Sequence, residues 1–262
     1  REQTGIELGY VEQLYTFGDR FRSPDEIRGG PRAVSAAALA LVCERAPVGA
    51  ARWLGAYEAC PWEDRRAGRP AAIDAVVGPA LAAWAAEPAD AAARSARRER
   101  ADIAFGLGGS DWDDEAVLAR YELLWEVGLV REAARDAARR AGRAEAWAAP
   151  EGLGRSMALD HRRILATALG RLRGKLKYRP VVFELLPAAF TLTQLQRTVE
   201  ALSGMPAHTA NFRRLVERGG LVEPTGAVDA RTGGRPAARF RFRREVLRER
   251  RAPGVGRPGA GR

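Results

Sequence analysis

The sequence predicts an α+β protein whose C-terminal part is two short helices joined by a tight turn and followed by a β-hairpin. Three observations carry that prediction. Charge is divided unevenly: residues 1–154 hold 20 basic and 25 acidic residues, net −5, whereas residues 155–262 hold 23 basic and 8 acidic, net +15. Helix-start and helix-stop signals bracket two short helices, ended by Gly204 and by Gly219-Gly220. Ala238 to Arg243 alternates apolar residues with arginine, the period of a strand with one buried face.

The chain has 262 residues, which suggests two domains. Hydrophobic content of 46% and charged content of 29% are those of a globular protein. Only Lys175 and Lys177 among the 43 basic residues are lysine, the mark of a GC-rich coding sequence. Such bias spreads arginine evenly, so it does not explain the asymmetry. The +15 segment therefore points to a polyanionic partner. No apolar run approaches the 18 residues of a membrane span, and no signal-peptide pattern opens the chain. Cys43 and Cys60 are too few for a disulfide framework, so a reducing, cytoplasmic setting is expected.

Tyr10 to Phe17 is expected to form a strand and Ala33 to Val42 a buried one. Ala71 to Ala86 predicts a helix with a break near Gly78-Pro79. Residues 87–101 fit either a helix or a mobile linker. Asp113 to Ala141 predicts one or two helices, with Asp111 as a nearby N-cap. Residues 147–154 read as a linker. A helix is predicted from Met157 to Lys177, then a short strand from Val181 to Leu185. A basic tail over 248–262, rich in Gly, Pro and Arg, is expected to lack fixed structure.

Thr191 and Gln194 have the spacing of a capping box, with Phe190 and Leu195 at staple positions. Leu195, Val199 and Leu202 make the buried stripe of that helix. The second helix runs from about His208 to Arg218. Phe212, Leu215 and Val216 share one face, and Ala210, Arg213, Arg214 and Glu217 the other. Asn211 reads equally as a helix-start residue or as a reader of adenine. Strands at Leu221–Glu223 and Ala238–Arg243 flank a loop with Arg231, Gly233, Gly234 and Arg235. Phe240 and Phe242 would face the core, and Arg239, Arg241 and Arg243 solvent. Helix, turn, helix, strand, basic loop and strand, in that order, are a winged helix-turn-helix. The candidate DNA contacts are Thr193, Gln194, Thr209, Ala210, Asn211, Arg213, Arg214, Arg231, Gly233, Gly234, Arg235 and Arg239.

Specific strings stand within this pattern. They are Phe183-Glu184-Leu185-Leu186-Pro187, Phe190-Thr191-Leu192, Asn211-Phe212-Arg213-Arg214, Leu221-Val222-Glu223-Pro224-Thr225-Gly226 and Gly233-Gly234-Arg235-Pro236. With them, residues 181–243 resemble the winged-helix domain of Nudix-related transcriptional regulators of NAD metabolism. Glu12-Gln13-Leu14-Tyr15-Thr16-Phe17-Gly18-Asp19 and the strand near Leu39 resemble the second half of their Nudix domain. Pro61-Trp62-Glu63-Asp64 and Arg120-Tyr121-Glu122-Leu123-Leu124 resemble the alphaproteobacterial branch. Since the chain begins at Arg1, the resemblance implies a Nudix-like α/β domain incomplete at its N-terminus, then helices, then the winged helix. It implies three parts: a sensor with a helical extension over 1–150, a DNA-binding domain over 157–247, and the tail. It implies a homodimeric repressor of NAD-biosynthesis genes bound to a double-stranded DNA operator. Its effector would be an NAD-related nucleotide: ADP-ribose, NAD or an adenine nucleotide. Tyr15, Phe17 and Asp19 would touch that effector.

The Nudix catalytic box is similar only at Arg1-Glu2-Gln3-Thr4-Gly5-Ile6, where Gln3 replaces a metal-binding glutamate. Neither a metal site nor a cofactor is expected, and regulation is expected rather than catalysis. A hydrolase of ADP-ribose or a related dinucleotide is the alternative. His161 and His208 lack partners at metal-ligand spacing. Gly170 to Lys175 is one residue short of a phosphate loop, and Leu176 stands where Ser or Thr is required. Asp111, Asp113, Asp114 and Glu115 read as an acidic helix start.

Overall fold

A computed structural model describes residues 10–18, 22–43, 52–148, 150–230 and 236–256. The chain groups into two compact units. One comprises Arg1–Glu12, Leu39–Trp53 and Arg171–Arg262, the other Gln13–Ala38 and Leu54–Gly170. Strands β1 (Tyr10–Phe17) and β2 (Ser35–Leu41) pair with each other. β2 has nearly the predicted bounds but not the predicted burial, because only Leu41 of its residues is buried. Small alanines on a two-stranded ribbon leave most of the strand half-covered or open.

The unit built on residues 54–170 is mainly helical. Its helices are α1 (Pro24–Ile27), α2 (Ala56–Ala59), α3 (Gly78–Ala86), α4 (Ala91–Phe105), α5 (Val117–Glu126) and α6 (Arg131–Arg140), with the start of α7 (His161–Tyr178). The break expected at Gly78-Pro79 does not occur. Ile73–Val77 forms a π-helix in which the N–H of Gly78 reaches Ile73 O. That wider turn lets a proline, which lacks an N–H and crowds the preceding turn, enter without ending the helix. Residues 87–101 resolve as the approach to α4 and most of that helix. Asp90 caps it, accepting from the N–H of Ala93 at 2.8 Å, and Gly106 closes it in the left-handed conformation. Asp111 is not a cap: α5 begins six residues later, and its N-cap position, Ala116, offers no side-chain acceptor. The stretch read as a linker is anchored too, with Leu153 buried and the Arg155 N–H on Glu58 O at 2.7 Å.

Trp62, Ile73, Val77, Leu81, Phe105, Leu123 and Leu124 centre this unit's core. Two ion pairs lie inside it. Arg120 grips Glu63 with both side chains fully buried, Nε to Oε1 at 2.6 Å and Nη2 to Oε2 at 2.9 Å. Arg162 meets Glu132 at 3.3 Å, each 1% exposed. Each guanidinium also lies over an indole, Arg120 at 3.8 Å from the Trp112 ring centre and Arg162 at 4.9 Å from that of Trp62. Remaining N–H groups go to carbonyls: Arg120 Nη1 to Ala104 and Asp113, and Arg162 Nε to Ala59. Burial pushes the Cys60 thiol up to about 12, so it is a packing residue and not a nucleophile.

The other unit holds the rest of α7, β3 (Phe190–Thr191), α8 (Leu192–Ser203), α9 (Thr209–Arg218), β4 (Val222–Asp229), β5 (Ala237–Phe242) and α10 (Val246–Glu249). Helix α7 starts at His161, four residues after the expected Met157, and stops before Pro180 as predicted. Val181–Leu185 is a 3-10 helix, not a strand. Pro180 sets the turn, and its carbonyl accepts from the N–H of Phe183 at 3.1 Å. The sheet runs β3-β5-β4, antiparallel throughout, with Phe190 opposite Phe240 and Val222 opposite Phe242. Leu172, Leu176, Val182, Phe190, Leu195, Val199, Phe212, Val216, Val246 and Val255 form the core. Residues 248–256 depart from the expected tail. Val255 is 1% exposed, and its N–H meets Leu176 O at 2.9 Å. Two apolar residues, Pro253 and Val255, in an otherwise polar stretch supply that anchor.

A polar cluster ties β1 to α7 in this unit. The Tyr10 hydroxyl donates to Glu12 at 2.6 Å, and Lys175 Nζ donates both to that hydroxyl and to the Glu12 carboxylate. Burial opposes the Glu12 charge, but the bonds from Lys175 and Tyr10 outweigh it and hold the carboxyl below its ordinary range. A lowered folded-state pKa gives stability that is present above the ordinary carboxylate pKa and lost as pH falls through the lowered value. Glu12→Gln is expected to cost on the order of 1 kcal/mol at neutral pH, the worth of charge-assisted bonds that solvent partly screens. The two proteins should converge in acid. Denaturant titrations at several pH values check this, and parallel curves across the acid limb would refute it.

Candidate nucleic-acid interface

The interface is built on α8, the turn after it, and α9. The capping box forms as predicted. Thr191 Oγ1 accepts from the Gln194 N–H at 3.2 Å, and Gln194 Oε1 accepts from the Thr191 N–H at 2.8 Å. The Gln194 carboxamide is thus engaged at the helix start, while neighbouring Thr193 is exposed. Gly204 ends α8 at φ 70°, the left-handed value that glycine adopts without a side-chain clash.

Sequence reasoning missed what fixes the turn. Glu200 Oε1 accepts from the Ala207 N–H at 2.9 Å and from Gln196 Nε2 at 3.0 Å. Gln196 Nε2 also reaches Ala207 O at 2.8 Å and Thr209 Oγ1 at 3.3 Å. The signal was present as a Gln–Glu pair four residues apart on one helix face. Two side chains therefore lock the angle at which α9 leaves α8.

On α9, Phe212 and Val216 are buried, whereas Thr209, Ala210, Asn211, Arg213 and Arg214 are all exposed. The side chains of Arg213 and Arg214 bond to no other described residue. Asn211 is the third residue of the helix, in its first turn as a helix-start residue would be, and His208 holds the N-cap position. Leu215 was expected inside but is 42% exposed. It sits on the flank of the buried face, with Gly256 against it.

In the hairpin, β4 and β5 pair with an irregularity between Pro224 and Val228. Phe240 and Phe242 pack on the core as expected, and Phe242 stacks on Phe183 with ring centres 4.3 Å apart. The arginines of β5 carry partners: Arg239 meets Asp229 at 2.9 Å and Arg241 meets Glu223 at 2.5 Å. Arg243, at the strand's end, pairs with Glu249. Arg231, Gly233, Gly234 and Arg235 lie outside the described residues, as do Asp19, Glu2 and Gln3.

Of the candidate effector residues that are described, Tyr15 is 59% exposed and Phe17 is buried. Their rings meet edge-on at 5.3 Å. The Arg163 guanidinium lies 6.0 Å from the Phe17 ring centre. Arg163 also lines a cavity of about 550 Å³ in the helical unit, with Arg22, Tyr121, Trp125, Leu159 and Asp160 among its walls. Among the described residues no group of three or more His, Cys, Asp or Glu could hold a metal ion. None of their helices is long and apolar enough to cross a membrane.

A helix-turn-helix with exposed arginines on its second helix, backed by a three-stranded sheet with a hairpin wing, defines a winged-helix DNA-binding domain. Residues 182–242 match the family described as the NrtR DNA-binding winged helix domain. The resemblance to Nudix-related regulators of NAD metabolism is borne out at this domain. The chain is 37% identical over 86 residues to the "ADPR responsive transcriptional repressor NtrR" of Acinetobacter baylyi. That stretch is 33% of this chain and spans about a third, 34%, of the length of the relative. Two solved structures also align. Shewanella oneidensis NrtR complexed with a 27mer DNA gives a TM-score of 0.44 at 20% identity, covering 94% of this chain and 70% of that one. A second structure of Shewanella oneidensis NrtR gives 0.42 at 20% identity, covering 94% and 69%.

Proposed function

We propose that this protein is a DNA-binding transcriptional regulator, a repressor of NAD-biosynthesis genes, that responds to an NAD-related nucleotide. The observation that carries the reading is α9. It is a helix whose orientation is fixed by Phe212, Val216 and the Gln196–Glu200 lock, and whose open face offers Asn211, Arg213 and Arg214. Arginine in that setting pairs bidentately with guanine and asparagine with adenine. The match over residues 182–242 and the similarity to the ADPR-responsive repressor of Acinetobacter baylyi support it.

In this reading residues 157–247 bind a double-stranded operator as a homodimer in the cytoplasm. Thr193 and Thr209, with the loop of Arg231, Gly233, Gly234 and Arg235, add backbone contacts. Residues 1–150 are a Nudix-like sensor with a helical extension. The effector, ADP-ribose, NAD or an adenine nucleotide, would reach Tyr15, Phe17 and Asp19, near the cavity edged by Arg163. The regulator reading is preferred to a hydrolase because the matched domain is a DNA-binding one.

The test is selection of bound sequences from a random DNA pool, with and without each nucleotide. A palindromic product whose binding changes with one of the nucleotides is expected. Arg214→Ala should then weaken binding to that product by about 1–3 kcal/mol and relax preference at one position. Failure to enrich any sequence would overturn the reading.

A further inference from the structure

The matched winged-helix region ends at Phe242, yet the fold continues. Residues 243–256 return along α9 as a strap held at several points. The Arg243 N–H bonds to Leu221 O at 3.0 Å, and Arg243 Nε donates to Gly220 O at 2.8 Å. Val246 of α10 is fully buried. Arg250 Nη1 donates to Gly219 O at 2.8 Å, at the C-terminal end of α9. Beyond it, Gly254 crosses the end of α7 so closely that a Cβ there would lie 2.2 Å from the Lys177 carbonyl carbon. Gly256 then rests against Leu215 of α9.

That strap is basic. Its stretch 243–251 has five arginines and two glutamates. Arg243 is neutralised by Glu249, and Arg250 is spent on Gly219. Arg244, Arg248 and Arg251 are exposed and their side chains bond to no other described residue, and the same is true of the Arg218 side chain on α9. At 100° per residue, Leu215, where Gly256 rests, borders the side of α9 that carries Arg218 and Asn211. Four guanidinium groups without an ion-pair partner among the described residues, with Glu217 and Glu245 as the acidic residues beside them in sequence, thus lie on α9 and on the strap anchored at its C-terminal end. Fixing a strap costs conformational entropy, which Val246, Pro253 and Val255 offset by burial.

We propose that the strap is a second DNA-backbone contact surface, in which Arg244, Arg248 and Arg251, with Arg218, bind phosphates flanking the bases read by α9. The proposal rests on the DNA-binding reading above. Contacts of this kind carry no sequence information and act through counterion release. They therefore have a signature distinct from base readout.

The experiment uses the full chain and a random-sequence duplex about three helical turns long. Affinity is measured across a salt series for the parent, for the Arg244→Ala, Arg248→Ala, Arg251→Ala triple variant, and for the corresponding lysine triple variant. The parent slope of log affinity against log salt should fall by roughly 2–3 in the alanine variant, since each phosphate neutralised contributes about 0.9. The lysine variant should keep the parent slope. Preference between two duplex sequences should be the same in all three proteins. A parent-like slope in the alanine variant overturns the strap proposal and leaves the DNA-binding reading intact. A parent without salt-dependent DNA affinity overturns both.

Discussion

Replacing Arg120 by Ala is expected to destabilise the helical unit by about 3–5 kcal/mol, the cost of stranding one member of a buried ion pair. Glu63 would lose both of its 2.6 and 2.9 Å bonds while remaining fully enclosed. The carbonyls of Ala104 and Asp113 would each lose a donor, and the face of Trp112 would lose the cation resting on it. Changing both partners, Arg120→Met with Glu63→Leu, should recover part of the loss, because no unpaired charge then remains. Recovery should be incomplete, since neither carbonyl regains the arginine donor it lost. Urea denaturation of the three variants measures this. A single-variant loss below about 1 kcal/mol, the scale of an exposed pair, would show that the charges are better hydrated than the structure has them.

Phe212→Ala should cost about 3–5 kcal/mol in the DNA-binding unit, the usual penalty for emptying an aromatic core site. Phe212 is 3% exposed and packs within the cluster that holds Leu195, Val199 and Val216. Its effect on DNA should exceed that of any single exposed residue of α9. Without it the helix can shift, and every contact on the open face is misplaced together. Phe212→Leu, which keeps most of the volume, should lose far less of both. Thermal unfolding and duplex binding, measured side by side, separate the two effects. Full DNA affinity in a strongly destabilised Phe212→Ala protein would mean that α9 is positioned by something other than this side chain.

What the sequence disclosed was mostly local. The Thr191–Gln194 box, the Gly204 stop and the alternation of β5 depend on neighbours within a few positions, and each appears in the structure as expected. What it concealed depends on distant partners. Nothing local marks Arg120 and Arg162 as buried, because burial of an arginine requires a carboxylate, here 57 and 30 residues away. The 3-10 turn at Val181–Leu185 has the composition of a strand, but no strand pairs with it among the described residues. Gly78-Pro79 looked like an ending because a proline's cost is judged against a regular helix, and the π-helix before it changes that cost. Of the interface, the exposed face of α9 was legible from helical periodicity. The Gln196–Glu200 lock and the commitment of Arg239 to Asp229 required geometry.

The strap also bears on how the DNA-binding part could be excised for separate study. A fragment cut at the recognisable limits, 182 and 242, would carry Leu195, Phe212 and Val216 but discard Leu172, Leu176, Val246 and Val255, which close the same core. It would present the raw inner surface of α8 and α9 to water and invite association. Cuts placed before Arg171 and after Gly256 recover those four but still lose Leu41, buried in the same core, and the Tyr10 and Glu12 partners of Lys175, so the smallest piece that can stand alone is set by which side chains share an interior, not by where similarity to relatives fades.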